Sequence, residues 1–495
     1  MNITRDLYRH SLNLLTDLYQ VTMAYGYWKT GKAETRSVFN LFFRDNPFEG
    51  GYTINCGLSH AIDFLENFHF EEDDLRYLAS LKGNDKKPLF EPAFLDYLSR
   101  LSFTCDLDAI PEGRIVFPQE PVIRVTGPVL QCQLIETPLL NMVNFQTLVA
   151  TKSARINYAA KGDPVMEFGL RRAQGIDGAL AASRAAFIGG CSSTSNVLAG
   201  KFFGIPVAGT HAHSWVMTFG NEMEAFEAYA RTMPNNCILL VDTYNTIQGI
   251  KNAILVGKAM KKKGKKLTGI RIDSGDLAYF SKVARSMLDE EGLKEVNIVA
   301  SNDLDEKLVQ SLKNQGARIS VWGIGTKLVT AYDQPALGAV YKMSAIENKD
   351  GKWEYRIKLS EQAMKVNNPG IQQVRRFYSG GNMAADMIFD LHLKSSAKTE
   401  MINPFDPTQR KLLDSHKMKW EDLLIPVFRK GKKVFNVPAI RQIRDLVTRD
   451  LGRLDDSIKR FENPHTYPVG LGKSLFDKKM ELILQLRSAS RMKTS

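Results

Sequence analysis

The segment 206–214 places His211 and His213 two residues apart, directly after a short apolar run. Three kinds of chemistry fit this pattern. The pair could bind a metal ion, one neutral imidazole could accept a phosphoryl group beside an orienting carboxylate, or the rings could simply hydrogen-bond the backbone. The next histidine along the chain is His392, so later strands supply no further imidazole and a barrel-type zinc site is excluded. The spacing does not choose between the other two interpretations.

Arg271 and Asp273 lie in the segment RIDSGD, residues 271–276. On a strand, residues two apart point to the same face. A buried arginine or aspartate is costly alone, so the two must pair or meet ligands. Arginine suits a planar carboxylate or a phosphate, whereas aspartate suits ribose hydroxyls or a hydrated metal. The alternative is a structural ion pair, with Asp276 as the cap of the next helix.

Two further segments could bind anions. In GIGTK, residues 323–327, the glycines would let backbone N–H groups approach a phosphate, and Thr326 and Lys327 add donors. In EFGLRR, residues 167–172, Phe168 stands beside two arginines, which suits a flat anionic ring. The alternatives are a tight strand-to-helix turn with a surface lysine, and a core phenylalanine with surface arginines.

These residues follow apolar runs that recur about every thirty residues, the length of one strand plus one helix. Such alternation predicts a parallel sheet, and the carboxyl ends of parallel strands share one face, where ligands bind. Polar residues follow six of these runs, which favours a closed barrel, because a barrel directs all six strand ends toward one centre. An open doubly wound sheet is the alternative. The predicted strands are 165–168, 207–209, 238–241, 267–272, 296–300 and 319–324.

Elsewhere the pattern is mixed. A strand is predicted at 38–43, and the prolines within 115–129 predict edge strands joined by tight turns. Beyond about residue 335 the strand-and-helix repeat degrades. Helices are predicted at 59–82, 88–101, 245–263 and 276–291.

Composition excludes several classes of protein. With 495 residues, 44% of them hydrophobic, the chain is expected to be globular, with two or three units, rather than disordered. Five cysteines at wide spacing, without a CxxC, argue against a disulfide scaffold or a structural zinc site and fit a reducing cytosol. No signal peptide is recognisable, and polar residues interrupt the most apolar window, 134–150, which predicts a buried helix rather than a membrane span.

The formal net charge of +12 admits nucleic acid, anionic lipid or phosphorylated small molecules as partners. The lysine cluster 261–266, KKKGKK, motivates the hypothesis of a basic scaffold that binds nucleic acid. The cluster lacks interleaved aromatic residues and stands at a predicted helix end, away from the strand-end face. We therefore expect neither nucleic acid nor a membrane as partner.

Seven stretches of the sequence match one known family, in the family's order, over residues 14–345. They are LLTDLYQVTMAYGYW (14–28), FNLFFRDNPFEGGY (39–52), EFGLRRAQGIDG (167–178), STSNVLAGKFFGIPVAGTHAHS (193–214), VDTYNT (241–246), GIRIDSGDL (269–277) and GIGTKLVT (323–330). In this combination the chain resembles the nicotinate phosphoribosyltransferases, which are type II phosphoribosyltransferases.

The resemblance implies a fold: an irregular parallel α/β barrel with a second α+β domain built from N-terminal and C-terminal segments. Residues 1–130 would form the N-terminal α+β domain, part of a dimer-forming sandwich, and residues 131–345 the barrel with the active site. Residues 346–495 would be a C-terminal segment that packs on both. The C-terminal part matches the family only loosely.

The resemblance also implies roles for single residues in binding nicotinate. Tyr19, contributed by the partner subunit, and Phe168 would stack on the two faces of the pyridine ring. Thr210 and Arg271 would contact the nicotinate carboxylate, with Arg171 beside the same pocket.

A second implied set binds phosphoribosyl pyrophosphate: Arg171 at the pyrophosphate, Asp273 and Ser274 near the ribose, Ser301 and Asn302 at the next strand end, and Gly323, Gly325 and Thr326 at the 5-phosphate. His213 would be the histidine that ATP phosphorylates, with Arg271 and Asp273 as the other catalytic residues. His211, where relatives often carry another residue, has no implied catalytic role.

The implied reaction joins nicotinate to 5-phosphoribosyl 1-pyrophosphate and yields nicotinate mononucleotide and pyrophosphate, as a step of NAD biosynthesis by salvage. ATP hydrolysis would be coupled through phospho-His213, so the enzyme would be of the ATP-dependent ligase type. Mg²⁺ is the implied cofactor, and a cytoplasmic homodimer with a shared active site is implied. The alternative is a nicotinamide phosphoribosyltransferase. Amide-using relatives place an aspartate where this chain has Ser195, which leaves Arg271 free to favour the acid.

Overall fold

The computed structural model describes residues 11–362, 365–394 and 396–491. The described chain divides into two compact units. Unit 1 consists of the described parts of Met1–Thr147, Ala336–Ala439 and Arg449–Ser495, and unit 2 consists of Leu148–Pro335 and Ile440–Thr448. The predicted fold class, α/β with a parallel sheet and a second sheet-containing domain, is confirmed. The three domain boundaries stay a prediction.

Unit 2 is built on a parallel sheet that has six strands in the described residues. In chain order they are β1 (Val165–Glu167), β2 (Ser193–Thr194), β3 (Ile238–Leu240), β4 (Gly269–Ile272), β5 (Asn297–Asn302) and β6 (Val321–Ile324). Their order across the sheet is β2–β1–β6–β5–β4–β3. All residues of β3 and β6 are buried, which is why these strands are continuous apolar runs in the sequence rather than alternating ones.

The two edges of this sheet come together. Val207 pairs with Thr194 at the β2 edge, and a few residues later Thr210 and His211 contact Arg271 of β4 and Leu240 of β3, at the opposite edge. Neighbouring strands are about 4.8 Å apart, so a flat sheet would hold these edges far from one another. The sheet therefore curves into an irregular barrel.

Helices connect the strands of unit 2. Asn245 and Asp276 cap two of them, because their side chains accept hydrogen bonds from the backbone N–H groups of Gln248 and Tyr279. The helices predicted at 245–263 and 276–291 are thereby confirmed, each cap standing just outside its helix. The described helices are Gly175–Ile188, Val197–Phe203, His213–Met217, Glu222–Thr232, Thr246–Lys262, Leu277–Glu290, Glu306–Asn314 and Thr326–Val329.

The prediction of a strand at 207–209 is wrong, because this segment makes only an isolated bridge. Thr194 donates its N–H to the Pro206 carbonyl and accepts from the Ala208 N–H, which makes a single bridge at Val207. The strand that pairs with this segment, β2, has only two residues and no period for sequence analysis to detect.

Unit 1 contains two larger sheets in the part of the chain that the structure describes. One is antiparallel, in the order Trp353–Tyr355, Val340–Glu347, Arg36–Phe42, Ile123–Pro128, Asp106–Ala109, Ile425–Arg429, Lys432–Lys433. The other is mixed, in the order Arg410–Asp414, Lys398–Ile402, Val469–Gly472, Asn382–Asp390, Gln372–Ser379, Lys419–Asp422. A short ladder joins Thr53–Ile54 to Ile115–Val116.

Two predictions for unit 1 are wrong in detail. The helix predicted at 59–82 is two helices, Leu58–Glu66 and Glu72–Ser80, because Glu71 and Asp74 form a capping box that starts the second. The strand Ile123–Pro128 is central rather than at an edge. Its only proline is its last residue, so no interior ladder hydrogen bond is lost.

In unit 1 the helix Val129–Leu134 packs against the antiparallel sheet, and Lys473–Arg491 packs against the mixed one. The window 134–150 lies in the helices Val129–Leu134 and Glu136–Ala160, as predicted. Among the described residues no helix is both long enough and apolar enough to cross a membrane. The remaining helices are Leu18–Lys29, Pro92–Ser99, Ile440–Gly452 and Lys473–Arg491, with single turns at Leu12–Leu14, Pro47–Glu49 and, in unit 2, Leu170–Arg172.

Candidate active site

Arg271, in β4, stands at the centre of a polar cluster at the carboxyl ends of the parallel strands. Its Nη1 donates to Thr210 Oγ1 at 3.0 Å, and its Nε donates to Ser301 Oγ at 2.7 Å. Its Nη2 donates to Asp273 Oδ1 at 2.8 Å. A guanidinium carries five N–H donors in a fixed plane. The three contacts fix that plane and leave further donors for a ligand.

Asp273 follows β4 and is ionised. Burial would raise the pKa of this carboxyl, but hydrogen bonds from Ser301 and Arg271, with the positive charge of Arg271, outweigh burial and hold the pKa below its ordinary value. Its side chain is 32% exposed, and its Oδ2 lies 3.9 Å from His213 Nε2. The carboxylate thus faces both a cation and an imidazole at the open end of the sheet.

His213 is the first residue of the short helix His213–Met217. Its Nδ1 lies 3.2 Å from Thr243 Oγ1, and its side chain is 40% exposed. One ring nitrogen therefore faces a hydroxyl and the other a carboxylate. An exposed imidazole oriented in this way can act as a nucleophile.

Phe168 lies directly after β1, and the Arg271 guanidinium carbon is 5.9 Å from the centre of its ring. Gly323 in β6 makes room for that ring, since a Cβ at this position would come within 2.8 Å of two ring atoms. A Cβ on Gly325 would come within 3.1 Å of the Phe168 carbonyl oxygen. Gly323 thus leaves the space that the Phe168 ring occupies, Gly325 packs tightly against the Phe168 backbone, and the contact of both glycines with a phosphate stays a prediction.

The other predicted phosphate contacts lie at neighbouring strand ends. Thr326 begins the four-residue helix Thr326–Val329, whose first N–H groups have no acceptor within the helix. Ser274 donates to Asp242 Oδ2 at 2.6 Å. Asn302 ends β5, its Oδ1 accepting the Asp303 N–H, and Arg171 is exposed in the turn after β1.

Tyr19 belongs to unit 1, in the helix Leu18–Lys29, whereas the other predicted site residues belong to unit 2. Its side chain is 48% exposed, and its hydroxyl oxygen accepts from Gln20 Nε2 at 2.9 Å. Burial of the hydroxyl, with the negative charges of Glu136 and Asp17, raises the pKa of Tyr19, so the phenol is neutral.

Two carboxylates that sequence analysis left without a role hold this site in place. Asp242 Oδ2 accepts from the Asp273 N–H at 2.8 Å and from Ser274, and its Oδ1 is buried without a hydrogen-bond partner in the described residues. The signal for it was present, because Asp242 also follows an apolar run.

Glu167, at the end of β1, is fully buried. It accepts from Ser183 Oγ at 2.9 Å, from Thr194 Oγ1 at 2.5 Å and from the Gly169 N–H. A buried carboxylate needs several donors, and here they fix the backbone that carries Phe168. The two side-chain donors, Ser183 and Thr194, are 16 and 27 residues away in the sequence, so no local pattern shows this role.

The chain matches family models over most of its length. A model described as the nicotinate phosphoribosyltransferase (NAPRTase) family matches residues 164–364. Models of the N-terminal and C-terminal domains of nicotinate phosphoribosyltransferase match residues 14–144 and 371–479.

Whole-chain relatives agree with this match. A nicotinate phosphoribosyltransferase of Bacillus subtilis (strain 168) is 46% identical over 485 residues, covering 97% of this chain and 96% of that protein. One of Homo sapiens is 34% identical, covering 93% of this chain and 95% of that protein. The crystal structure of human nicotinic acid phosphoribosyltransferase superposes with a TM-score of 0.81 at 32% identity, over 94% of this chain and 99% of the other. The chain therefore belongs to the nicotinate phosphoribosyltransferase family.

Proposed function

We propose that this protein transfers the phosphoribosyl group of 5-phosphoribosyl 1-pyrophosphate to nicotinate, releasing pyrophosphate, as a step of NAD biosynthesis. The observation that carries this proposal is the position of the Arg271 guanidinium. Three hydrogen bonds fix it, and its central carbon lies 5.9 Å from the centre of the Phe168 ring. A flat ring that bears a carboxylate needs such a pair: an aromatic face for the ring and a planar cation for the acid.

Nicotinamide is the competing substrate, and the same arginine argues against it. A neutral amide gains less than a carboxylate from a guanidinium, and it asks for an acceptor for its N–H groups. Initial rates with nicotinate and with nicotinamide, each with phosphoribosyl pyrophosphate and ATP, decide the matter. We expect kcat/KM for nicotinate to be at least about a hundredfold higher. Equal or reversed values would favour the amide.

The proposal includes coupling to ATP through His213. One neutral ring nitrogen would attack the γ-phosphorus, so that an N–P bond forms as the P–O bond to ADP breaks, and water would later cleave the phosphohistidine. The contacts with Thr243 and Asp273 support an oriented imidazole. ATP labelled at the γ-phosphate should give an acid-labile phosphoprotein. His213→Ala should abolish the label, whereas His465→Ala, at an exposed histidine far along the chain, should retain it. Label that persists in His213→Ala would exclude this role.

Mg²⁺ fits the same strand ends. The described residues contain no cluster of three or more histidine, cysteine or carboxylate ligands, but Mg²⁺ commonly takes one or two carboxylates together with substrate phosphates and water. Asp273 and the unpartnered oxygen of Asp242 are the carboxylates that would hold it. When bound, it would neutralise charge on the pyrophosphate. Chelation should abolish turnover, and added Mg²⁺ should restore it.

We also propose a homodimer in which Tyr19 acts in the partner's site. Tyr19 is exposed, and so are three apolar side chains close to it in the sequence, Leu12, Leu15 and Leu18. Exposed apolar side chains that form one patch mark interfaces. The inactive variants Tyr19→Ala and His213→Ala test this arrangement when they are unfolded and refolded together. If the site is shared, random pairing should restore about one quarter of wild-type activity, because half of the dimers then carry one intact site. Recovery of no activity would contradict a shared site.

A cytoplasmic location is part of the proposal. The five cysteines are all buried and free, and the sulfurs of Cys105 and Cys132 lie 3.8 Å apart without a bond. Buried cysteines without a disulfide framework are typical of proteins of the reducing cytosol. Cell fractionation would test the location directly.

A further inference from the structure

His211 has no role in the proposed chemistry, yet its side chain is buried, hydrogen-bonded and packed against an aromatic ring. It is buried, 7% exposed, and its ring packs edge-on against Tyr229 with 4.7 Å between ring centres. Its Nε2 accepts a hydrogen bond from the backbone N–H of Leu240 at 3.2 Å.

Leu240 ends β3, which is an edge strand of the parallel sheet. The next residue, Val241, donates its N–H to the Arg271 carbonyl of β4 at 3.1 Å. Successive N–H groups of a strand point to opposite sides, so the Leu240 N–H points away from β4, toward the open edge. A buried N–H without an acceptor is costly. The imidazole of His211 supplies the acceptor that a further strand would otherwise provide.

The same side chain belongs to the segment that leaves the opposite edge of the sheet. Val207 pairs with Thr194 of β2, and the chain then passes through Thr210 and His211 to His213. Thr210 accepts from Arg271 and donates to the carbonyl of His211 at 3.2 Å. A shift of His211 would therefore move the hydroxyl that fixes Arg271 and the imidazole that faces Asp273.

To accept at Nε2, the ring must be neutral, with its hydrogen on Nδ1, which then donates to the Ala212 carbonyl at 3.3 Å. Burial lowers the pKa of His211 to about 4, and the positive charge of Arg271, with that of His213 whenever its ring is protonated, acts in the same direction, while the Ala212 carbonyl opposes them. On the remaining side the helix Glu222–Thr232 presents Phe226 and Tyr229. Burial raises the pKa of Tyr229, so this phenol stays neutral.

We propose that neutral His211 is a positioning residue that closes the barrel between β3 and the segment 206–214, and so holds Thr210 against Arg271 and His213 beside Asp273. The part of this inference that concerns activity rests on the proposed function. The part that concerns the closure does not, because it depends only on the hydrogen bond to Leu240.

The proposal predicts a specific acid sensitivity. The folded pKa of about 4 lies below the ordinary value of 6.5, so the unfolded chain binds more protons between these values. The stability that His211 contributes is present above pH 6.5 and is lost as the pH falls toward 4. A protonated ring would also carry a hydrogen on Nε2. This N–H would face the N–H of Leu240, and the hydrogen bond between the two residues would be lost.

Two variants separate the hydrogen bond from simple packing. His211→Gln can place its amide oxygen near the position of Nε2 and keeps an acceptor, whereas His211→Leu fills similar space without one. We expect His211→Leu to lower kcat/KM for nicotinate about ten- to a hundredfold and to slow phosphorylation of His213 similarly, and His211→Gln to recover all but about threefold. The free energy of unfolding of the wild type should fall reversibly between pH 6.5 and 4, and the fall should be smaller in His211→Gln, because that variant lacks the contribution of His211.

Hydrogen exchange at the Leu240 amide gives a measurement that does not depend on activity. Exchange should speed up at least about tenfold in His211→Leu and much less in His211→Gln. If exchange at Leu240 is the same in all three proteins, or if both variants lose activity equally, the proposal is wrong. If wild-type protein does not turn over nicotinate, the proposed function fails, and the exchange experiment still decides the closure.

Discussion

Arginine–aspartate pairs occur in both units, and they differ in how far they are exposed. In unit 1, Arg376 Nη2 lies 2.5 Å from Asp386 Oδ2, and both side chains are fully buried. In unit 2, the Arg271 side chain is 16% exposed, and that of Asp273, its partner at 2.8 Å, is 32% exposed. The residue types are the same, but only the second pair can be reached by a ligand.

The buried pair belongs to a network of other buried groups. Arg376 also donates to the Ile115 carbonyl at 2.8 Å, and Asp386 accepts from the Tyr467 hydroxyl at 2.8 Å. Such a network contributes to the structure of the unit and leaves few donors for a substrate. Burial and the number of partners, rather than residue type, therefore distinguish a structural ion pair from one that can bind a substrate.

The largest expected effect is on the buried pair. Arg376→Met removes one partner and leaves the Asp386 charge buried and uncompensated, which should lower the free energy of unfolding by about 3–5 kcal/mol. Arg410→Met is the matched control, since Arg410 meets Glu400 at 3.2 Å with half of its side chain exposed. That change should cost less than about 1 kcal/mol. Urea unfolding of both variants would contradict the comparison if their midpoints were equal.

Arg271→Lys tests the exposed pair. Lysine keeps the charge but cannot hold Thr210, Ser301 and Asp273 in one plane while also meeting a carboxylate. We expect kcat/KM for nicotinate to fall about a hundredfold, which corresponds to about 2.7 kcal/mol, with little change in the unfolding midpoint. A variant that keeps its activity but unfolds early would make Arg271 a structural residue like Arg376.

Asp242→Asn should have a smaller effect. The amide keeps one acceptor for the Asp273 N–H or the Ser274 hydroxyl, but it loses the charge. We expect steady-state kinetics to show about a tenfold loss of kcat/KM, or about 1.4 kcal/mol, mainly through KM for phosphoribosyl pyrophosphate. An unchanged KM for that substrate would show that Asp242 does not contribute to binding it.

Glu120→Gln should have the smallest effect on the free energy of unfolding, provided that unfolding is measured in acid. Complete burial raises the pKa of Glu120 well above its ordinary value of 4.5, and the negative charge of Asp386 adds to this. The folded protein therefore holds a proton that the unfolded chain releases. The stability this group contributes is present below pH 4.5 and is lost as the pH rises through the folded pKa.

Near pH 4.5, Glu120→Gln and wild type should therefore unfold alike, within about 1 kcal/mol. As the pH rises, the variant should become the more stable of the two, by up to about 1.4 kcal/mol per pH unit. Unfolding free energies measured from pH 5 to 8 check the slope. Parallel curves would show that Glu120 is ionised in the folded protein.

The strand ends of unit 2 could be predicted because their signals are local. An apolar run followed by polar residues, repeated at the length of one strand and one helix, places Arg271, Asp273 and Ser301 on a common face. Caps such as Asn245 and Asp276 mark helix starts for the same reason. Unit 1 could not be predicted as well, since its sheets pair strands far apart in sequence, such as Asn382–Asp390 with Val469–Gly472.

By itself the sequence determined the parallel sheet, the set of polar groups at its strand ends and, through its motifs, the family. Only the tertiary structure decided what each group contacts. In the folded chain Gly323 packs against the Phe168 ring, and Glu167 accepts a hydrogen bond from the turn that follows this ring. His211 accepts a hydrogen bond from the free edge of β3. The family resemblance already gave His211 and His213 different roles, and the tertiary structure added that His211 is buried against Leu240 whereas His213 is partly exposed beside Asp273. The reason is physical: backbone alternation is a local property, whereas burial and hydrogen-bond partners depend on distant segments of the chain.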